Sequence, residues 1–194
     1  MIILVTRFDE VIKTIASHPV VAVLSIEHPD VAEGMSGYAP RLTDDIIAQK
    51  ILTFWDAEIT VNRGPDMAQV EEGLLFALEH ATKGDVIIHC KAGRSRSTAL
   101  ALGVLSALHP HESEGLLIDR LLAIRKEAAP NIIVVDFVDK LTGRGGKLLQ
   151  AVKDHAGLTA ARALAEKDRQ RAFDRDPELA YKLFPEKFPP GSPK

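Results

Sequence analysis

Val86-Ile87-Ile88-His89-Cys90-Lys91-Ala92-Gly93-Arg94-Ser95-Arg96-Ser97-Thr98 decides how this 194-residue chain is read. The opening Val-Ile-Ile is an apolar, β-branched run bounded by a turn signal, the pattern of a strand buried on both faces. A short loop holding Gly93 follows, and a helical pattern opens at Arg96 and runs through small residues to Leu108. A thiol is therefore expected at a strand end, facing a helix N-terminus, with Arg96 placed after five intervening residues.

Outward from this stretch, strand-like and helical patterns alternate. Ile2–Val5 and the β-branched Val20–Ile26 read as strands, with Asp9–Ser17 between them at helical spacing until Pro19. Residues 27–42, with two Gly and two Pro, read as a long surface loop, and Lys50–Trp55 as a third strand. Pro65 is placed to open a helix whose apolar face includes Met67, Val70, Leu74, Leu75 and Leu78, closed by Gly84 before the strand Val86–His89. Beyond Leu108, Glu112–Ala128 carries Leu116, Leu117, Leu121, Leu122 and Ile124 on its apolar side; Asn131–Leu141 follows the break at Pro130 and ends at Gly143. The alternation implies an α/β fold, a mainly parallel central sheet flanked by helices, followed by a helical half.

From about Asp154 the chain becomes heavily charged. Leu158–Phe173 reads as a helix of mixed sign, Asp176-Pro177 as the start of a short helix through Phe184, and Pro185, Pro189, Pro190 and Pro193 as a loose tail. The expected organisation is one domain over residues 1–153 and a charged helical extension with a Pro-rich tail over 154–194, through which the chain could oligomerise.

Composition limits the function classes. A formal net charge of −3 argues against nucleic acid as a bulk partner. The single cysteine excludes an internal disulfide framework and a Cys-rich metal site, and suits a reducing compartment, so a cytoplasmic setting is expected. No run approaches the length that spans a bilayer, and the N-terminal Met1–Arg7 stretch is too short for a signal peptide.

The chemistry of the thiol loop follows from its parts. A helix N-terminus, converging backbone amides and Arg96 all favour a thiolate over a thiol. The same donors suit the oxygens of a phosphoryl group, and the planar fork of Arg96 can hold two of them at once. Gly93 lets the backbone curl close to the anion. A lone Cys at a strand end is by default a packing residue, but His89, Gly93, Arg96 and Ser97 around it, in a strand–loop–helix context, argue for a nucleophile.

The run His89–Thr98 resembles the His-Cys-x-x-Gly-x-x-Arg-Ser/Thr signature of the cysteine-dependent protein tyrosine phosphatase superfamily, most like its dual-specificity-type branch and related bacterial tyrosine phosphatases. The resemblance covers roughly residues 1–153. It implies a phosphocysteine intermediate on Cys90 and phosphate held by the loop Lys91, Ala92, Gly93, Arg94, Ser95 and Arg96. It further implies a His89 that orients the loop, a Ser97 hydroxyl that helps the thiol leave, and no metal or other cofactor.

Such a reaction also needs an acid for the leaving oxygen and a base for the attacking water. Asp44, Asp45, Asp56, Glu58 and Asp66 lie upstream. Asp56 follows the expected third strand, and Leu52-Thr53-Phe54-Trp55-Asp56 is similar to the family's strand and acid loop, with Asp45 and Glu58 as rivals. Ala129-Pro130-Asn131 resembles the Pro-Asn that opens a helix behind the loop in dual-specificity phosphatases, so Asn131 is expected to brace the loop or to serve as an ordinary helix cap.

Lys91 and Arg94 add cations within the loop, and His89-Cys90-Lys91-Ala92-Gly93 followed by a basic residue is similar to the phosphoinositide phosphatase branch. Ser97-Thr98 stands where that branch has Thr-Gly, which fits the dual-specificity pattern better. The expected partner is a phosphorylated protein or small molecule, with inositol phosphates or phosphoinositides as the alternative substrate class. A binding module without turnover, and a thiol enzyme such as a sulfurtransferase or arsenate reductase, are the competing classes; the lack of a second Cys counts against the reductase. Two features stand aside: Gly143-Arg144-Gly145-Gly146-Lys147 is followed by Leu148 where a nucleotide loop has Ser or Thr, and His109 and His111 lack matched metal ligands nearby.

Overall fold

The computed structural model of the chain describes residues 2–43, 46–58, 60–175 and 178. Asp44, Asp45, the expected helix through Phe184 and the Pro-rich tail lie outside the described residues.

Four strands form one sheet in the order β1-β4-β2-β3: β1 Ile3–Arg7, β2 Val20–Glu27, β3 Ala48–Thr53 and β4 Asp85–Cys90. Every pairing is parallel. Two of the three crossovers carry a helix, α1 Val11–Ile15 between β1 and β2 and α2 Met67–Ala81 between β3 and β4; the described residues between β2 and β3 form no helix, and α3 Arg96–Leu108 follows β4. The remaining helices are α4 Glu114–Ile124, α5 Ile132–Leu141, α6 Lys147–Asp154 and α7 Ala156–Arg175.

The sheet is covered unequally. Ile3, Val5, Leu24, Ile26, Val86, Ile88 and Cys90 join the main core with the buried faces of α2 to α6. The alternate residues Val20, Val23 and Ile87 form a smaller cluster with Val11 and Ile15 of α1. Strand β4 lies inside the sheet, with Cys90 level with Arg7 of β1 and Ile26 of β2. In parallel sheets the carboxyl ends of the strands open onto the crevice where ligands bind, and Cys90 closes the central one.

Several elements differ from the sequence expectation. Strand β3 starts and ends two residues early: the Phe54 N–H makes the last bond to β2, on the Glu27 carbonyl, the Trp55 N–H turns to the Arg63 carbonyl, and both side chains are buried. Pro65 precedes the cap rather than opening α2; Asp66 is the N-cap, accepting from Gln69 N. The buried face of α2 is Val70, Gly73, Leu74, Ala77 and Ala81, and Leu75 is 60% exposed. Helix α4 runs shorter than expected, capped by Ser113 and ending at Ile124 before the Arg125 C-cap, with Ile118 buried and Leu116 exposed. Helix α6 has no local start signal in the sequence. Its first turn is capped from α5, where the Asp139 carboxylate accepts from Gly146, Leu148 and Leu149 N–H groups.

Helix α3 carries the thiol loop's arginine, and its residues from Arg96 to Ser106 are buried. Its small residues permit close approach: a Cβ at Gly103 would lie 2.7 Å from a methyl and 2.8 Å from the Cβ of Val138 on α5. Leu158, the third residue of α7, is fully buried in the same main core. Gly103→Ala is expected to lower stability by about 1–3 kcal/mol through overpacking, despite Ala's better helix propensity. Gly115→Ala on α4, where nothing lies within 4 Å, is expected to gain up to about 1 kcal/mol. Urea unfolding of the two variants reads the difference, and equal effects would contradict the packing.

Candidate active site

The loop from Cys90 to Arg96 is held from outside. The Arg94 carbonyl accepts from Ala129 N at 2.8 Å and from the Thr98 hydroxyl, and the Ser95 carbonyl accepts from Thr98 Oγ1 at 2.8 Å and Asn131 N at 3.4 Å. Among the described residues, none accepts from the backbone N–H groups of residues 91–95. The loop thus binds its neighbours with carbonyls and keeps its amides for something else, the geometry of an anion-binding nest at a helix N-terminus.

Gly93 has φ +64°, and a Cβ there would sit 2.4 Å from the Thr6 carbonyl oxygen. The requirement for glycine thus comes from the close packing of the loop on the end of β1 and from its left-handed backbone, in place of the expected approach to an anion alone.

Cys90 is 2% exposed, and its Sγ lies 3.2 Å from Ser97 Oγ. A hydroxyl at this distance can donate to a thiolate. The Arg96 guanidinium is 4% exposed and clamped through one nitrogen: Nη1 donates to the Glu27 carbonyl at 2.9 Å and the Phe54 carbonyl at 2.8 Å. Its Nε is buried and has no hydrogen-bond partner among the described residues. A buried donor left unpaired is costly, so a site built this way suits an acceptor.

His89 points to the opposite face of the sheet from Cys90. Its Nε2 meets Ser25 Oγ at 2.7 Å, and Gln49 Nε2 donates to the same hydroxyl at 3.2 Å, linking β4, β2 and β3. Burial pushes the imidazole down to about 4, so it is neutral at pH 7. His89 therefore acts on the loop through the strand that carries Cys90.

Of the upstream carboxylates, Asp56 meets the loop. Its Oδ1 accepts from Ser95 Oγ at 2.7 Å and from Asn131 Nδ2 at 2.9 Å. Asp66 is engaged as the α2 cap. Glu58 lines a cavity of about 170 Å³ with Ala129, Arg162, Ala165 and Glu166, on the side of the Asp56 segment that faces α7. Asn131 differs from the expectation in detail. Its side chain braces the Asp56 segment, donating to Asp56 and to the Ala57 carbonyl at 2.9 Å, and caps α5 through Ile133 and Val134 N–H; its backbone N–H is what reaches the thiol loop.

Lys91 is exposed, its stem against Gly37 of the 27–42 loop. Arg94 is engaged elsewhere: its Nη2 donates to Asp168 Oδ2 of α7 at 2.7 Å.

Sequence reading missed the supports around Arg96. Glu27 is bound bidentately by Arg41 and accepts from Ala39 N–H; burial pushes its carboxyl up, but Arg41 and Ala39 outweigh that and hold it below its ordinary range. His28 stacks on Trp55, rings 5.2 Å apart and nearly parallel, directly beyond the two carbonyls that clamp Arg96. Burial, then the charges of Arg96 and Lys91, push its imidazole down. The spacing of Glu27 from Arg41, and of His28 from Trp55, follows no helix or strand period, so no local signal could have found them.

No family model matches the chain. Among solved structures it is similar to human DUSP28 (TM-score 0.57, 17% identity, 77% of this chain and 94% of that one). It is similar also to the human tyrosine phosphatase-like serine/threonine/tyrosine-interacting protein (TM-score 0.60, 13% identity, 73% and 91%). A third is PTPMT1 in complex with PI(5)P (TM-score 0.52, 21% identity, 73% and 90%).

The fold is that of the cysteine-dependent protein tyrosine phosphatases.

Among structures of that fold the likeness is to dual-specificity phosphatases and PTPMT1. In sequence, the chain is 33% identical over 88 residues to mouse phosphatidylglycerophosphatase and protein-tyrosine phosphatase 1, a match spanning 43% of this chain and 45% of that protein. The chain thus matches less than half the length of this relative.

The neutral His89 has a measurable consequence. Below pH 6.5 the unfolded chain protonates this imidazole, while the native one stays neutral until about pH 4. Stability from this group is therefore whole above pH 6.5 and is lost as pH falls toward 4, by up to about 3 kcal/mol. Urea unfolding at pH 4.5 and 7 is expected to show a shallower pH slope for His89→Asn than for the wild type; identical slopes would contradict a buried neutral imidazole.

Proposed function

We propose that this protein is a phosphatase that hydrolyses phosphomonoesters through a phosphocysteine intermediate on Cys90. The observation that carries the reading is the buried Cys90 thiol beside Ser97, at the mouth of a loop whose amides bind no described protein group and whose Arg96 keeps a buried Nε unpaired. The shared fold of dual-specificity phosphatases and PTPMT1 supports it.

In the first step Cys90 Sγ attacks phosphorus and the ester oxygen departs. The loop N–H groups of Lys91, Ala92, Gly93, Arg94, Ser95 and Arg96 hold the equatorial oxygens, and Arg96 supplies a charge-assisted fork from Nε and Nη2, since Nη1 is committed to the two carbonyls. Asp56 protonates the leaving oxygen. Its Oδ1 already accepts from Ser95 and Asn131, so the transferable proton is assigned to Oδ2. In the second step water, deprotonated by Asp56, attacks the phosphocysteine, and Ser97 Oγ donates to the sulfur as the thiolate leaves. His89 holds the strand end, and Asn131 holds Asp56. No step requires a metal or cofactor.

Residues 1–153 form the catalytic unit in this reading, with 154–194 as its extension. The lone thiol works best in a reducing compartment such as the cytoplasm; among the described residues no helix is long and apolar enough to cross a membrane. A phosphorylated protein side chain is the leading substrate class. A phosphoinositide or inositol phosphate is the second reading, favoured by the exposed Lys91 in the loop and by the structural likeness to PTPMT1, solved in complex with PI(5)P.

Cys90→Ser is expected to abolish turnover of an aryl phosphate in EDTA while leaving the fold intact; full turnover would refute the proposal. Asp56→Asn is expected to slow esters with poor leaving groups by about 100-fold or more, and activated esters far less, because the former need protonation. Rates plotted against leaving-group pKa give the comparison, and equal slowing across the series would remove Asp56 from the acid role. Phosphotyrosine peptide, phosphothreonine peptide and inositol phosphates assayed side by side would rank the substrate classes.

A further inference from the structure

We propose that Asp168 is a specificity-determining residue: by holding the Arg94 guanidinium, it withdraws one cation of the phosphate loop and lowers the site's preference for substrates carrying a second phosphate. The inference rests on the phosphatase reading and concerns the substrate class of the same loop.

The loop carries three cationic side chains, Lys91, Arg94 and Arg96. Arg96 is buried and clamped, and suits the reacting phosphate. Lys91 is exposed. Arg94 would be the natural ligand for a second phosphate on the substrate, since its backbone is fixed by Ala129 and Thr98 and the guanidinium is what remains free to turn. The 2.7 Å bond to Asp168 occupies it.

Asp168 is delivered to this position by packing. Leu158, Ala165 and Asp168 are spaced by seven and three, so they share one face of α7. Leu158 is wholly inside the main core and Ala165 is buried beside the Glu58–Ala129 cavity. The carboxylate is further held by Arg171 Nη1 at 3.5 Å. The hydrogen bond from Arg94, before any other influence, holds the Asp168 carboxyl below its usual range, so the pair is charged at neutral pH. A pair this exposed contributes little to stability, so its consequence lies in the charge it removes from the loop.

The test is binding to the Cys90→Ser protein, with inositol monophosphate and inositol bisphosphate as probes on one ring scaffold. Adding Asp168→Asn is expected to raise the preference for the bisphosphate about tenfold, the scale of one charge-assisted hydrogen bond made available. Asp168→Glu is expected to restore the original ratio. Adding Arg94→Gln to Asp168→Asn is expected to cancel the gain. An unchanged ratio in Asp168→Asn would overturn the inference, as would a gain that survives loss of Arg94. These ratios are read without turnover. Failure of the wild type to hydrolyse any phosphomonoester would instead overturn the phosphatase reading, so the two failures are distinct.

Discussion

One buried guanidinium organises this molecule. Arg96 leaves the first turn of α3 and donates to the carbonyls of Glu27, at the end of β2, and Phe54, just past β3. Those two carbonyls lie at the carboxyl edge of the sheet, so a single side chain joins helix, sheet edge and the segment that leads to Asp56. A charge placed there without acceptors would be costly, and the two carbonyls satisfy one nitrogen while leaving Nε for another acceptor. Each neighbouring support serves that placement. Glu27 is pinned by Arg41 and Ala39, His28 stacks on Trp55 beyond the clamp, and Asn131 ties the Asp56 segment to the helix behind the loop.

The division of labour between the two faces of the sheet follows from strand alternation. Cys90 faces the main core and the helix N-terminus, whereas His89 faces the other way and knits β4 to β2 through Ser25. Cys90 and His89 can therefore be adjacent in sequence without competing for space. Burial keeps His89 neutral, so it adds no charge beside the thiol.

How much of this was legible in the sequence depends on how local each interaction is. Helix α3 and the thiol loop were readable in place, because strand run, glycine and helix onset occur within a dozen residues. Asp56 was readable as a candidate from its position after a strand. Strand β3 was misplaced at its end because Phe54 and Trp55 are apolar and β-prone, yet pairing with β2 closes at the Phe54 N–H on the Glu27 carbonyl and Trp55 N–H turns to Arg63. Helix α6 was missed because Asp139, on the preceding helix, caps it through tertiary contact. Arg94 looked like a second cation for the pocket, and its true partner lies 74 residues away on α7, beyond any spacing rule. The same holds for Glu27 with Arg41: the residue types were visible, and their pairing was not.

The central claim is that phosphorus is transferred to Cys90 Sγ inside this cup of donors. Acid-quenched mass spectrometry during turnover of an activated aryl phosphate tests it most directly. The account predicts a phosphoryl group on the peptide carrying Cys90, labile to nucleophiles and absent from Cys90→Ser. Turnover that continues with the phosphoryl group on another residue, or with none on the protein at all, would contradict it.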